Sequence, residues 1–122
     1  MDTALVIDGT ETQRKLFSTL LQRRGFSLES LTAEEAYTAP SLAVDIVIYI
    51  WGKGDLDEVA VRRLRNNYPT TALIAVSAHA FPQERARAMK AGFDDFLVMP
   101  FSVEDFDSVL NIWTHQRLDA KA

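Results

Sequence analysis

One run of apolar residues constrains the fold more than any other part of the chain. Residues 45–51 read DIVIYIW, the longest nearly uninterrupted apolar stretch, and they are rich in β-branched and aromatic side chains. The length is typical of a strand, and the lack of alternation indicates burial on both faces, as in the middle of a parallel sheet. Ligands of such sheets bind beyond the carboxyl ends of the strands. Ile50 and Trp51 occupy that end, and neither side chain can act as a nucleophile, a base or a metal ligand.

Length and composition limit the classes of function. The 122 residues have the length of one domain, and we expect residues 1–122 to form it, with a core over about 3–115 and a polar tail. The net charge of −4 argues against nucleic-acid binding, and the absence of cysteine excludes disulfides and thiolate chemistry. We expect neither a signal peptide nor a membrane-spanning run, and therefore predict a cytoplasmic protein without a membrane partner.

Strand and helix patterns alternate five times along the chain. Thr10 with Gln13, and Thr32 with Glu35, form the capping-box pattern that begins a helix. The alternation predicts an α/β fold, a doubly wound parallel sheet with helices on both faces and right-handed crossovers. The predicted strands are 4–7, 26–31, 45–50, 72–76 and 96–98.

Apolar residues at helical spacing predict which side of a helix faces the core. Gly25 follows the first helix, where a left-handed residue commonly ends a helix. The predicted stripes include Leu16, Phe17, Leu20 and Leu21 in the first helix, Val59, Ala60 and Leu64 in the third, and Val103, Phe106, Val109, Leu110 and Trp113 in the last.

Several local motifs share a pattern with one protein family. Residues 75–80 read AVSAHA, residues 91–100 read AGFDDFLVMP, and the chain opens with LVIDG at residues 5–9. With DIVI at residues 45–48, these motifs resemble the receiver domain of bacterial two-component response regulators over essentially the whole chain. The resemblance implies a flavodoxin-like (βα)5 fold with five parallel strands in the order 2-1-3-4-5.

The same resemblance places the parts of a phosphorylation site. In a receiver, an aspartate ending the third strand accepts a phosphoryl group, and two acids after the first strand help to hold Mg²⁺. A hydroxyl on the fourth strand and a lysine on the fifth contact the phosphoryl oxygens. Here Asp8 and Ser77 match the pattern, whereas Gly9 replaces the second acid, Ile50 the phosphoacceptor and Met99 the lysine. We therefore predict a degenerate receiver, or pseudo-receiver, without metal or other cofactor, which aspartyl phosphorylation does not switch.

Other candidate residues have simpler interpretations. The loop after the central strand consists of Trp51, Gly52, Lys53 and Gly54; it matches no phosphate-loop spacing and is predicted to be a turn that alters the neighbouring surface. Asp55 and Asp57 follow as candidates for a displaced phosphoacceptor, but Asp55 has a capping role with Glu58. His79 and His115 lie on different elements without a third ligand at suitable spacing, so no metal site is expected.

Phe96 stands at the position of an aromatic residue that moves inward in active receivers. Without a phosphoryl group to follow, the favoured interpretation is a fixed or passively flipping core residue. The output surface of the family combines the fourth helix, the fifth strand and the fifth helix. The predicted fourth helix carries Arg85, Arg87 and Lys90, and the fifth carries Glu104, Asp105 and Asp107. These opposite charges fit a two-fold homodimer or a solvated surface with weak intramolecular pairs.

Two functions of different classes remain open. One is a phosphorylation-independent adaptor, not an enzyme, that binds another signalling or regulatory protein. The other is a sensor of a small ligand in a remodelled cleft. An enzyme is not expected, because the sequence contains no nucleophile–base pair, metal cluster or dinucleotide fingerprint. The residues of the predicted cleft are Asp8, Ile50, Trp51, Ser77 and Met99.

Overall fold

Five parallel strands form one sheet in the part of the chain that the structure describes. The computed structural model describes residues 2–32, 35–36, 43–52, 58–78 and 82–121, with residues 115–121 described by their backbone alone. The strand order is β2-β1-β3-β4-β5. The predicted doubly wound, flavodoxin-like sheet with the order 2-1-3-4-5 is therefore confirmed. The strands are β1 Thr3–Ile7, β2 Ser27–Leu31, β3 Ile46–Trp51, β4 Ala72–Ser77 and β5 Asp95–Val98.

Helices cover both faces of the sheet. The short second helix predicted from its capping box falls largely outside the described residues. Among the described helices, none combines the length and the apolar character needed to cross a membrane. The helices that the structure describes along their length are α1 Glu11–Arg23, α2 Glu58–Asn67, α3 Pro82–Ala91 and α4 Val103–Lys121.

The central strand β3 lies between β1 and β4 and is buried at every residue. Its side chains alternate between the two faces, as the pleat requires. Ile46, Ile48 and Ile50 pack with residues of α1 and α4, on what we call the α1–α4 face. Tyr49 and Trp51 pack with residues of α2 and α3, on the α2–α3 face. The predicted burial of β3 on both faces is confirmed. Ile50 and Trp51 lie on opposite faces of the sheet.

Local hydrogen bonds begin and end the elements where the sequence predicts. The Thr10 hydroxyl accepts the Gln13 N–H at 3.1 Å, and the Gln13 Oε1 accepts the Thr10 N–H at 2.9 Å. Thr32 and Glu35 make the equivalent pair at 3.2 and 3.1 Å. Hydrogen bonds from the Thr32 N–H and hydroxyl lower the pKa of the Glu35 carboxyl. Gly25 after α1 has a φ of 84°, the predicted left-handed conformation.

Three residues of the predicted core stripes lie at the surface. Leu16 is 46% exposed, Val103 is 49% exposed and Val59 is 63% exposed. Val59 and Val103 lie in the first turn of their helices, Leu16 lies beside the buried Phe17 and Leu20 of α1, and Val61 is the buried valine of α2. The backbone is helical to Lys121.

Arg65 joins three segments on the α2–α3 side. Its guanidinium donates to the carbonyl of Gly92 at 3.1 Å, to that of Tyr68 at 3.0 Å and to the Asp94 carboxylate at 2.6 Å. The same Asp94 oxygen accepts the N–H of Leu73 at 2.8 Å. The end of α2, the start of β4 and the turn before β5 are therefore fixed to one planar group.

We expect Arg65→Lys to lower the free energy of unfolding by about 1–3 kcal/mol, because an ammonium cannot reproduce the fork of donors. Chemical denaturation measures the change. Arg62→Lys, at an exposed position of the same helix, is the matched control and should change the value by less than about 0.5 kcal/mol. Equal losses in both variants would contradict the assigned role of Arg65.

Candidate functional site

The positions of the predicted degenerate site come together at one edge of the sheet. Asp8 follows β1, Ile50 lies at the end of β3, Ser77 ends β4 and Met99 follows β5. Parallel strands bring their carboxyl ends to the same edge, as expected for a site of this fold. The Met99 N–H donates to the Ser77 carbonyl at 2.9 Å, which joins two of these positions directly.

The Ile50 side chain lies where a side chain at position 9 would be. Gly9 has a φ of 87°, and a Cβ added to it would lie 2.6 Å from Ile50 Cδ1. Because Ile50 is buried, its side chain cannot simply turn into solvent. The isoleucine therefore occupies the space that a side chain at position 9 would need. Glycine at position 9 and isoleucine at position 50, two departures from the receiver pattern, therefore belong to the same packing arrangement.

Among the residues that the structure describes at this edge, the side chains do not fit a magnesium site. Mg²⁺ takes an octahedral set of oxygen ligands, usually including carboxylates. Gly9 and Ile50 supply no side-chain oxygen, which leaves the carboxylate of Asp8. Asp8 has a φ of 61°, and its N–H donates to the Leu31 carbonyl at 3.0 Å. Within the described residues, no group of three or more His, Cys, Asp or Glu side chains could hold a metal ion.

The other face of the same edge holds a buried aromatic pair. Trp51 and Phe96 meet edge to face, with ring centroids 6.3 Å apart and an interplanar angle of 87°. Both are buried, and Ser77 is completely buried at the end of the neighbouring strand. An edge-to-face pair contributes about 0.5–1.5 kcal/mol beyond its buried area. Phe96 therefore lies inside, against Trp51, and its fixed or flipping behaviour stays a prediction.

The structure does not place Trp51 in one cleft with Ile50 and Met99, as the sequence analysis predicted. Trp51 lies on the α2–α3 face, whereas Ile50 and Met99 lie on the α1–α4 face, so these side chains do not line a common cavity. The reason is the alternation of side chains along β3. Gly52 is exposed beyond the strand end, and Lys53, Gly54, Asp55, Asp57 and His79 lie outside the described residues.

A groove that was not predicted from the sequence lies on the α1–α4 side. Its volume is about 410 Å³, and it opens between α1, the end of β4 and the segment joining β5 to α4. The exposed Leu16 and Val103 belong to it. The groove was not predicted, because both residues were assigned to the core stripes of their helices. We call it the α1–α4 groove; it is lined by Gln13, Leu16, Leu20, Ala78, Met99, Pro100, Phe101 and Val103.

Two of the six predicted surface charges are held within the chain. Arg87 of α3 pairs with Glu58 of α2 at 3.2 Å, and Asp107 of α4 pairs with Arg23 of α1 at 2.6 Å. Neither pair joins a cation of α3 to an acid of α4, since Arg87 pairs with α2 and Asp107 pairs with α1. Exposed pairs of this kind contribute about 0.2–1 kcal/mol each. The remaining four residues are exposed, and the homodimer stays a prediction: Arg85, Lys90, Glu104 and Asp105.

Comparison with known proteins finds relatives among two-component response regulators and chemotaxis proteins. No protein-family model matches the chain. The two-component response regulator ARR10 of Arabidopsis thaliana is 29% identical over 117 residues, which cover 91% of this chain and 20% of that protein. The chemotaxis protein CheY1 of Helicobacter pylori is 26% identical over 115 residues, which cover 88% of this chain and 93% of CheY1.

Solved structures show the same fold. The receiver domain of the sensor histidine kinase PA1611 of Pseudomonas aeruginosa, which has a magnesium ion in its active-site cleft, superposes with a TM-score of 0.79. It is 21% identical, and the match covers 93% of this chain and 98% of that domain. The relatives and structural neighbours are thus CheY-like receiver domains of response regulators. The chain spans only 13–24% of the length of three curated relatives.

We expect Gly9→Ala to lower the free energy of unfolding by about 2–4 kcal/mol, because it combines left-handed strain with overpacking. Gly25→Ala is the matched control, since Gly25 has a φ of 84° and nothing lies within 4 Å of its added Cβ. The control should lose only about 1 kcal/mol. Chemical denaturation of both variants measures the difference, and equal losses would contradict the contact with Ile50.

Proposed function

We propose that this chain is a pseudo-receiver, a receiver domain of two-component signalling that acts without phosphorylation of an aspartate. The observation that carries the proposal is that Ile50 Cδ1 lies 2.6 Å from where a Cβ at position 9 would be. It means that the phosphoacceptor and the second magnesium acid are replaced by one closed apolar arrangement. A site that had lost only its nucleophile would leave the space of the second acid open.

Burial supports the proposal further. Ile50 is 2% exposed. It belongs to the same buried apolar cluster on the α1–α4 face as Phe17 and Val76. An aspartate at this position would bury a carboxylate without a cation, which is strongly unfavourable. The apolar arrangement therefore stabilises the domain at the point where a working receiver holds charge. A domain of this kind is not an enzyme and works through the proteins that it binds.

The partner surface that we favour is the exposed side of α3, which is the predicted fourth helix. Arg85 and Lys90 are exposed cations, and Met89 between them is 39% exposed. Arg87 is already paired with Glu58, so it contributes less to a partner. An apolar centre with flanking cations fits an acidic surface of another signalling or regulatory protein. A linked domain of the same protein is included among such partners.

We expect no phosphorylation of the wild-type chain by acetyl phosphate with Mg²⁺ and no NMR response to beryllofluoride, because position 50 carries no nucleophile. Intact-mass spectrometry and amide spectra measure the two outcomes. The variant Gly9→Asp/Ile50→Asp/Met99→Lys restores the missing groups and should respond to both reagents. Phosphorylation of the wild type that disappears in Asp55→Asn/Asp57→Asn would contradict the proposal and indicate a displaced acceptor.

We expect Arg85→Glu/Lys90→Glu to weaken binding of a captured partner by at least about tenfold, because two attractive charges become repulsive. Affinity capture from the source cells, followed by titration of the isolated partner, measures the change. Arg62→Glu/Arg63→Glu makes the same charge reversal on exposed residues of α2 and should bind normally. Equal loss in both variants would show that net charge, and not the α3 surface, determines binding.

A further inference from the structure

Charge is divided unevenly between two neighbouring helices and the rest of the chain. Helices α2 and α3 contain six of the 13 lysine and arginine residues but only two of the 17 acids, which gives them a formal charge of +4. The other seven cations and 15 acids give the remainder of the chain a charge of −8. The total of −4 therefore conceals a basic pair of helices and is a poor guide to how each surface meets a polyanion.

Helices α2 and α3 lie side by side on one face of the sheet. Buried residues of both helices pack into the same apolar cluster. Two polar contacts join them: Arg87 Nε lies 3.2 Å from Glu58 Oε1, and Arg65 Nε donates to the carbonyl of Gly92, which follows α3, at 3.1 Å. Because both helices rest on the same sheet face, their outer sides form one broad surface.

The outer surface of α2 and α3, which we call the basic face, is positively charged. The two acids of these helices oppose this charge little, because Glu58 is paired with Arg87 and the Oε2 atom of Glu84 is buried. The exposed cations of the basic face, which none of the ion pairs among the described residues uses, are Arg62, Arg63, Arg85 and Lys90.

Two exposed apolar side chains stand among these cations. Val59 of α2 is 63% exposed, and Met89 of α3 is 39% exposed. A surface of this composition fits an anionic bilayer, where cations meet the headgroups and apolar side chains enter the boundary beneath them. A nucleic-acid duplex would leave Val59 in water. A protein would need acids spaced to match four separate cations, whereas lipid headgroups diffuse to them.

We propose that the basic face binds the surface of an anionic lipid bilayer. The acidic remainder of the chain is repelled by the same surface, so the domain is oriented with α2 and α3 against the headgroups. The proposal departs from the sequence-based expectation of a chain without a membrane partner. It goes beyond the adaptor role and does not depend on it. Because α3 belongs to both surfaces, bilayer and protein partner would compete for the domain.

Sedimentation with lipid vesicles tests the electrostatic part of the proposal. We expect the protein to sediment with vesicles of phosphatidylglycerol and phosphatidylcholine in equal parts, but not with phosphatidylcholine alone. Salt at about 1 M, which shortens the screening length to about 3 Å, should release it. Arg62→Glu should weaken binding by about 25-fold, since each unit of charge contributes about fivefold. Lys15→Glu makes the same change on the exposed side of α1 and should bind as the wild type does.

A fluorescent label tests which surface meets the lipid. The chain contains no cysteine, so an introduced one is labelled at a single place. An environment-sensitive fluorophore on Val59→Cys should shift its emission to the blue when vesicles of the mixed composition are added. The same fluorophore on Ser108→Cys, at an exposed position of α4, should not shift, because α4 lies on the other face of the sheet.

Four results would overturn the proposal. The first is a folded wild-type protein that does not sediment with the mixed vesicles. The second is equal weakening by Arg62→Glu and Lys15→Glu, which would make net charge the cause. The third is an equal emission shift at positions 59 and 108. The fourth is binding of a DNA duplex without binding of vesicles.

The proposal fails separately from the proposed function. None of the four results bears on the phosphorylation test. In addition, Arg62→Glu/Arg63→Glu is the variant that should retain the captured protein partner, whereas it should lose the vesicles. Loss of both ligands in this variant would show that the two surfaces are not distinct, and it would contradict the bilayer assignment to α2.

Discussion

Burial of β3 on both faces is the constraint on which the rest of the structure depends. The strand pairs with β1 and β4, and its six side chains are divided between the two helical layers. Ile50 therefore belongs to the layer of α1 and α4, and Trp51 belongs to the layer of α2 and α3. A polar group at either position would need a partner supplied by the sheet edge. At positions 9 and 99 this edge carries glycine and methionine, neither of which has a charged side chain.

The three departures from the receiver pattern have a common physical effect. Ile50 fills the space over Gly9, and Met99 on the same face turns an adjoining wall apolar. At these three positions uncharged residues stand where the receiver pattern has charged ones, while Asp8 keeps its carboxyl group at the same edge. The pair of Trp51 and Phe96 and the hydrogen bonds of Arg65 lie on the other face of the sheet, away from Ile50 and Met99.

Much of the fold could be predicted because its signals are local. The double burial of β3 and the capping boxes of Thr10 and Thr32 depend on neighbouring residues. The ion pair between Arg23 and Asp107 joins residues 84 positions apart, so no local sequence pattern predicts it. The exposure of Leu16 and the groove beside it arise where helix and sheet surfaces diverge, which requires the packed structure. The opposite directions of Ile50 and Trp51 follow from strand alternation, which depends only on their adjacent positions in the sequence.

The contact between Gly9 and Ile50 also bears on how such a chain evolves. The Cβ of an acid at position 9 would lie 2.6 Å from Ile50 Cδ1, and an acid at position 50 would be buried. A sequence with an acid at only one of these two positions is therefore expected to be less stable than the present one. As long as isoleucine occupies position 50, stability alone favours glycine at position 9.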